Sequence, residues 1–304
     1  MQQQDHPLLC DPAEGICGIP AGTVEKQIPV QDAGTPVQIL YFTDPICSSC
    51  WGIEPQLRKL KLEYAGCIEI EYHMGGLLPD WSYNSGGISK PSDVAHHWDE
   101  VSVYYDMPID GDIWLEDPLA SSYPPSIAFK AAQLQSREKA VWFLRTIREM
   151  VFLQKKNITR WEHLEAAAKK TGLDPVRLKT DFGGTAKTVF EEDLNVAGML
   201  GVRGFPTLFF IDPYGNKELV YGTKPYAVYE AAVLKLHPVA AKTTYSKNWE
   251  SLFSKYPSLT AKEFSVLSDT PRAESEKILN ALSRSGVLEK QTTKNGSIWR
   301  IKTI

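Results

Sequence analysis

The pair Cys47-Ser48-Ser49-Cys50 restricts the fold of this chain more than any other feature. It follows directly on an apolar, strand-like run, Val37-Gln38-Ile39-Leu40-Tyr41-Phe42. Far downstream, Gly204-Phe205-Pro206-Thr207 leads into a second apolar run, Leu208-Phe209-Phe210-Ile211. Two cysteines separated by two residues at the start of a helix bring both sulfurs to one face at bonding distance. A proline-led strand beside them offers backbone to an extended partner. In this order, each beside a strand, the two stretches predict a dithiol redox site.

The 304 residues leave room for two domains, or for one with a large insertion. A formal net charge of -4 provides no basic field to gather phosphates, so neither nucleic acid nor a membrane surface is an expected partner. No run of about 18 apolar residues occurs, so no membrane span is expected. The segment Met1–His6 has neither the basic start nor the apolar core of a signal peptide. Five cysteines are too few, and odd in number, for a disulfide-stapled secreted scaffold. A cytoplasmic location is therefore expected, where a C-x-x-C is redox-active or metal-binding.

Along the chain, residues 1–36 read as an arm punctuated by Pro, Gly, Gln and Asp, and they carry Cys10 and Cys17. Val37–Thr43 reads as a buried strand. A helix starts near Cys47 and carries Ile53, Leu57, Leu60 and Leu62, with a kink expected at Pro55. Cys67–Met74 reads as a second strand, ended by Gly75-Gly76, which makes a parallel βαβ unit. From about Ser92 to Leu200 the apolar period becomes 3.6, which gives a helical insertion at about 84–200. Val94, Trp98 and Val101 form one stripe, Ile127, Ala131 and Leu134 another, and Phe143, Ile147 and Met150 a third. Thr159 and Glu162 have capping-box spacing, and Asp174-Pro175 marks another helix start. Strands return at Thr207–Ile211 and Glu218–Tyr221, around the turn Asp212-Pro213-Tyr214-Gly215, and Tyr226–Leu236 closes the unit as a helix.

This order predicts an α/β thioredoxin fold over 37–236 with an all-helical insertion. Residues 240–304 have their own pattern of two helices, Leu259–Leu267 and one begun by Thr270-Pro271, and a hairpin at Lys294-Asn295-Gly296, a small winged-helix-like C-terminal domain. That segment holds ten basic and six acidic side chains from Tyr245 onward. Glu274 and Glu276 stand where a recognition helix would meet phosphates, which favours packing or protein contact over DNA.

Cys47, at the helix N-terminus, is the expected nucleophile with a moderately lowered pKa, and Cys50 is the expected resolving thiol. Gly204, Phe205 and Pro206 are expected to align the partner, with a cis bond before Pro206. Cys10 and Cys17 are open to four readings: two unrelated surface thiols, an arm disulfide, an electron supply to the main pair, or a share in a four-thiolate zinc site. Zinc is the least favoured, so no metal and no organic cofactor is expected. Cys67 reads as an apolar filler, Glu54 as a solvated helix carboxylate, and His96-His97 as one surface and one core residue.

The run Tyr41 to Pro55, with Asp44-Pro45, Cys47-Ser48-Ser49-Cys50-Trp51 and Glu54-Pro55, resembles the signature of DsbA-like proteins of the bacterial cytoplasm. Gly201 to Leu208 is similar to their cis-proline loop. The resemblance covers about 37–236. It implies a thioredoxin fold with a helical insertion, thiol–disulfide oxidoreductase or isomerase activity on protein or small-molecule disulfides, and substrate contact by Trp51 beside the proline loop. Glu54 to Tyr64 and the extra C-terminal segment further resemble the YjbH-type adaptors, which deliver the stress regulator Spx to the ClpXP protease. That branch implies an alternative: a non-catalytic adaptor whose groove grips a regulatory protein while the dithiol senses oxidants.

Overall fold

The computed structural model describes residues 37–82 and 89–302, together with the backbone of two short strands, β1 (Cys10–Asp11) and β2 (Ile16–Gly18). The remainder of the expected arm lies outside the described residues. β3 (Val37–Thr43) is buried along nearly its whole length, as its run of β-branched and aromatic residues requires. It leads through Asp44-Pro45 into a five-residue helix, α1 (Ser48–Gly52), and then α2 (Glu54–Glu63). The kink expected at Pro55 is a complete break at Ile53. Pro55 sits in the first turn of α2, where a missing N–H costs nothing.

β4 (Ile68–Met74) pairs parallel with β3. Among the described residues, seven helices then follow before the next strand: α3 (Pro91–Tyr105), α4 (Ile113–Glu116), α5 (Tyr123–Gln135), α6 (Arg137–Leu153), α7 (Trp161–Lys170), α8 (Pro175–Gly183) and α9 (Thr185–Met199). Asp174 caps α8 by accepting from the amides of Val176 and Arg177. The expected capping box at Thr159 does not form: Thr159 donates its hydroxyl to Asn157 instead, and Arg160 takes the cap position. In α5 the buried face is Ala128, Phe129, Ala131 and Ala132, while Leu134 is exposed.

After α9 come β5 (Gly204–Phe205), β6 (Thr207–Ile211), β7 (Lys217–Tyr221) and α10 (Tyr226–Leu236). β6 pairs antiparallel with both β3 and β7, so the main sheet runs β4-β3-β6-β7. The carboxylate of Asp212 accepts from the amides of Tyr214 and Asn216 and fixes the β6–β7 turn. This is an α/β thioredoxin-like fold with its helical block inserted between β4 and β5.

The C-terminal stretch forms α11 (Trp249–Lys255), β8 (Ser258–Thr260), α12 (Ala261–Ser268), α13 (Arg272–Arg284), β9 (Leu288–Thr293) and β10 (Gly296–Ile301). Its strands make a separate antiparallel sheet in the order β8-β10-β9. Leu259, expected to start a helix, is in β8 opposite Trp299. Leu252, Phe253, Leu259, Phe264, Leu279 and Trp299 build a second apolar cluster that also takes in Leu62 of α2.

Candidate functional site

The dithiol stands where β3 runs out. Asp44 is wholly buried, and its carboxylate accepts from the amides of Ile46 (3.0 Å) and Leu77 (2.8 Å) and from the Ser122 hydroxyl (2.8 Å). These bonds fix the turn into α1, and burial pushes the Asp44 carboxyl up to about 6. Cys47 is the N-cap of α1, with its sulfur accepting from the Cys50 amide at 3.1 Å. The two cysteine side chains share a hydrogen bond, and both residues are fully buried. Ser49 shares a 2.7 Å hydrogen bond with the Tyr105 hydroxyl of α3.

The charge distribution departs from the expectation drawn from the helix terminus. Burial pushes the Cys47 thiol up rather than down. For Cys50, burial also pushes upward, but the hydrogen bond from Cys47 and the charge of Arg148 outweigh it and bring the thiol down. A five-residue helix has a small dipole, and desolvation exceeds it.

Arg148 of α6, invisible as a site residue in the sequence, lies wholly buried behind the pair. It donates to Glu54 Oε1 at 2.7 Å, to Thr43 Oγ1 at 2.6 Å and to the Asp44 carbonyl at 3.2 Å. Thr43 in turn donates to the Tyr41 hydroxyl. Glu54 is therefore not a solvated carboxylate. Burial pushes it up, and Arg148 and Arg58 overcome that and hold it below the usual range. The only sequence signal for Arg148 is a charged residue next to Ile147 in the apolar stripe of Phe143, Ile147 and Met150.

The proline loop reaches the same end of the sheet. Phe42 and Thr207 are register partners, so Pro206 lies beside the end of β3 that leads into the dithiol. The Phe205–Pro206 bond is cis, and the Pro206 carbonyl accepts from the Gly222 amide at 2.8 Å. The tip of the Phe205 ring packs against Gly75: a Cβ there would sit 1.8 Å from it. Gly75 therefore stays side-chain-free to seat Phe205, a constraint that strand punctuation alone does not reveal. On its other side β5 pairs with β2, Cys17 opposite Phe205 and Gly18 opposite Gly204.

Trp51 does not border a groove. It is fully buried, its indole N–H donates to the Pro108 carbonyl, and its ring stacks on Phe152 beneath the Arg145 guanidinium. Trp98 and Trp114 continue the same aromatic layer. Cys67 is half-buried before β4, remote from the dithiol along the sheet. His96 is exposed and His97 buried. Among the described residues no group of His, Cys, Asp or Glu has the arrangement to hold a metal ion. No helix among them is long and apolar enough to cross a membrane.

A chain of buried ions leads from the dithiol to the C-terminal stretch. Arg58 pairs with Glu54 and Glu263, and Arg145 pairs with Glu263 (2.7 Å) and Glu149 (2.8 Å). Glu149 also accepts from Arg300. Glu263 completes a capping box with Thr260 at the start of α12. Farther out, Arg272 of α13 pairs with Asp106, and Asn295 donates to Asp99 and to the Ile109 carbonyl.

The sheet order, the dithiol at the first helix and the inserted helical block together define a thioredoxin-like protein of the DsbA type. The family described as Thioredoxin matches residues 40–231. The chain is 33% identical to the ClpXP adapter protein SpxH of Halalkalibacterium halodurans, over 99% of each chain. It is 30% identical to the ClpXP adapter protein SpxH of Bacillus subtilis, over 87% of this chain and 89% of that one. In three dimensions it is similar to the cytosolic disulfide reductase DsbM of Pseudomonas aeruginosa, with a TM-score of 0.51 and 21% identity. That similarity covers 66% of this chain and 99% of DsbM. The chain belongs to the DsbA-like thioredoxin-fold family, close to the SpxH/YjbH branch.

Proposed function

We propose that this protein is a cytoplasmic adapter that presents a regulatory protein, of the Spx type, to a ClpXP-type protease. One observation carries this reading. The similarity to an adapter-named relative extends over 99% of both chains, whereas a disulfide reductase of the same fold accounts for only 66% of this one. The surplus includes chain beyond what the exchange chemistry of a thioredoxin fold uses. The ion chain through Arg58, Arg145 and Glu263 ties the C-terminal stretch to the dithiol-bearing body. A tethered but loosely held appendage has no need of such a join; a rigid two-part docking surface does.

A second activity, thiol–disulfide exchange at Cys47 and Cys50, is favoured by the shared hydrogen bond of the two cysteines and by the cation behind them. In this role Cys47, the cap residue, exchanges with the incoming disulfide, and Cys50, beside Arg148, resolves. The Gly204–Phe205 edge next to Pro206 aligns an extended partner by main-chain pairing.

Binding separates the two. We expect the purified regulator to bind the wild-type chain and the Cys47→Ser/Cys50→Ser variant with affinities within a few-fold of one another. Absence of saturable binding, together with steady turnover of a disulfide such as that of insulin by the wild type alone, would replace the adapter by an enzyme.

A further inference from the structure

Residues 16–18 occupy the edge where an extended partner of the dithiol is expected. β2 pairs antiparallel with β5, Cys17 opposite Phe205. It also runs within 8 Å of α1, Cα to Cα, alongside the helix that Cys47 caps. Its other edge takes β1, with Cys10 directly opposite Cys17. Residues directly opposite one another in an antiparallel ladder have Cα atoms about 4.5–5.5 Å apart. That lies inside the range of roughly 4.4–6.8 Å that a disulfide spans. A single backbone segment thus brings a cross-strand cysteine pair to the docking edge, one member in line with the residue before Pro206.

We propose that Cys10 and Cys17 form a second redox centre, and that Cys17 is the internal exchange partner of Cys47. The proposal rests on the exchange reading of the dithiol and is independent of the adapter reading. An external low-molecular-weight disulfide, such as oxidised glutathione, first oxidises the arm: Cys10 and Cys17 become a disulfide, and the external disulfide becomes two thiols. Cys47 passes its proton along the shared hydrogen bond to the Cys50 thiolate, and its sulfur attacks the Cys17 sulfur. A Cys47–Cys17 bond forms, the Cys17–Cys10 bond breaks, and the electron pair leaves on Cys10, which takes up a proton. Cys50, losing its proton, attacks Cys47, the Cys47–Cys50 bond forms, and Cys17 leaves as a thiol. Two electrons have passed from the dithiol to the arm, and the oxidising equivalent now sits in the body of the protein. Because the arm is tethered, its local concentration at the docking edge is high, and the exchange competes with external partners for the same edge.

The test is to trap the intermediate. Full-length Cys50→Ser protein is reduced, oxidised with stoichiometric oxidised glutathione, quenched with N-ethylmaleimide, digested without reductant and mapped by mass spectrometry. The expected principal product is a Cys17–Cys47 crosslinked peptide, which disappears in Cys17→Ser/Cys50→Ser. A crosslink from Cys47 to Cys10, or a Cys47 carrying only glutathione, overturns the proposal while leaving the dithiol reactive. A Cys47 that enters no disulfide at all overturns both this proposal and the exchange reading. Should the serine variant fail to fold, Cys50→Ala removes the same resolving thiol without adding a polar group and gives the same readout.

Discussion

Arg148 donates to Glu54 at 2.7 Å, from the middle of α6 to the first residue of α2. Two helices separated by β4 and the first three helices of the insertion are joined by one ion pair behind the dithiol. The same guanidinium holds Thr43 and the Asp44 carbonyl, so it fixes the end of β3 as well. A buried cation with these anchors sets the electrostatics of Cys50 without contributing an atom to the exchange.

Replacing Arg148 by Met leaves Glu54 half-buried with only the longer 3.7 Å pairing to Arg58. Because one partner remains, we expect a loss of about 3 kcal/mol, the lower end of what breaking a buried ion pair costs. Urea unfolding measures it. In the same variant the Cys50 thiol should titrate at higher pH, read from the ultraviolet absorbance of the thiolate.

Glu149 makes the acid limb of stability specific to one residue. Burial pushes its carboxyl up, but Arg145 and Arg300 outweigh that and hold it at about 2, against an ordinary 4.5. Its pKa is lowered in the folded state, so its contribution is complete above pH 4.5 and is lost as the pH falls towards 2. A depression of this size corresponds to roughly 3 kcal/mol. In Glu149→Gln the stability between pH 4.5 and 2 should fall less steeply than in the wild type, as denaturation at stepped pH will report.

Glu263 is the joint of the C-terminal stretch. It receives Arg145 and Arg58, and it caps α12. Glu263→Gln takes one partner from each of two buried cations and leaves Arg145 with Glu149 and Arg58 with Glu54, so a cost of about 3 kcal/mol is expected. Limited proteolysis should show the loss first between α10 and α11, residues 237–248. Regulator binding should fall in parallel, while the reactivity of the dithiol towards glutathione should change little.

Deleting residues 1–36 removes β2 from the edge of β5. Cys47 is fully buried in the intact protein. Alkylation by iodoacetamide at fixed pH should therefore be several-fold faster in the truncated chain. Equal rates would mean that the body alone buries the thiol.

Much of this fold is written in local signals. The aromatic, β-branched run before Cys47 formed β3, Asp174-Pro175 began α8, and Asp212 fixed its turn as side chain-to-amide chemistry dictates. The misreadings concern residues whose partners lie far along the chain. Glu54 looks solvated in its own helix because Arg148 is 94 residues away. Trp51 looks like a groove residue because nothing local reveals Pro108 or Phe152. The capping box expected at Thr159 lost to Asn157, two residues back, while the one at Thr260 was hidden within what reads as a helix from Leu259. The lowered Cys47 pKa assumed an open helix terminus, and burial reversed its direction. The pairing of β2 with β5 has no sequence signature, because main-chain pairing selects register and not residue type.

The proposed adapter delivers its regulator without needing the dithiol. The most direct measurement is the rate at which purified ClpXP degrades the Spx-type regulator, alone, with the wild-type chain, and with Cys47→Ser/Cys50→Ser. Wild type should accelerate degradation strongly, and the double-serine variant should retain most of that acceleration. Degradation no faster with the wild-type chain than without it would contradict the account.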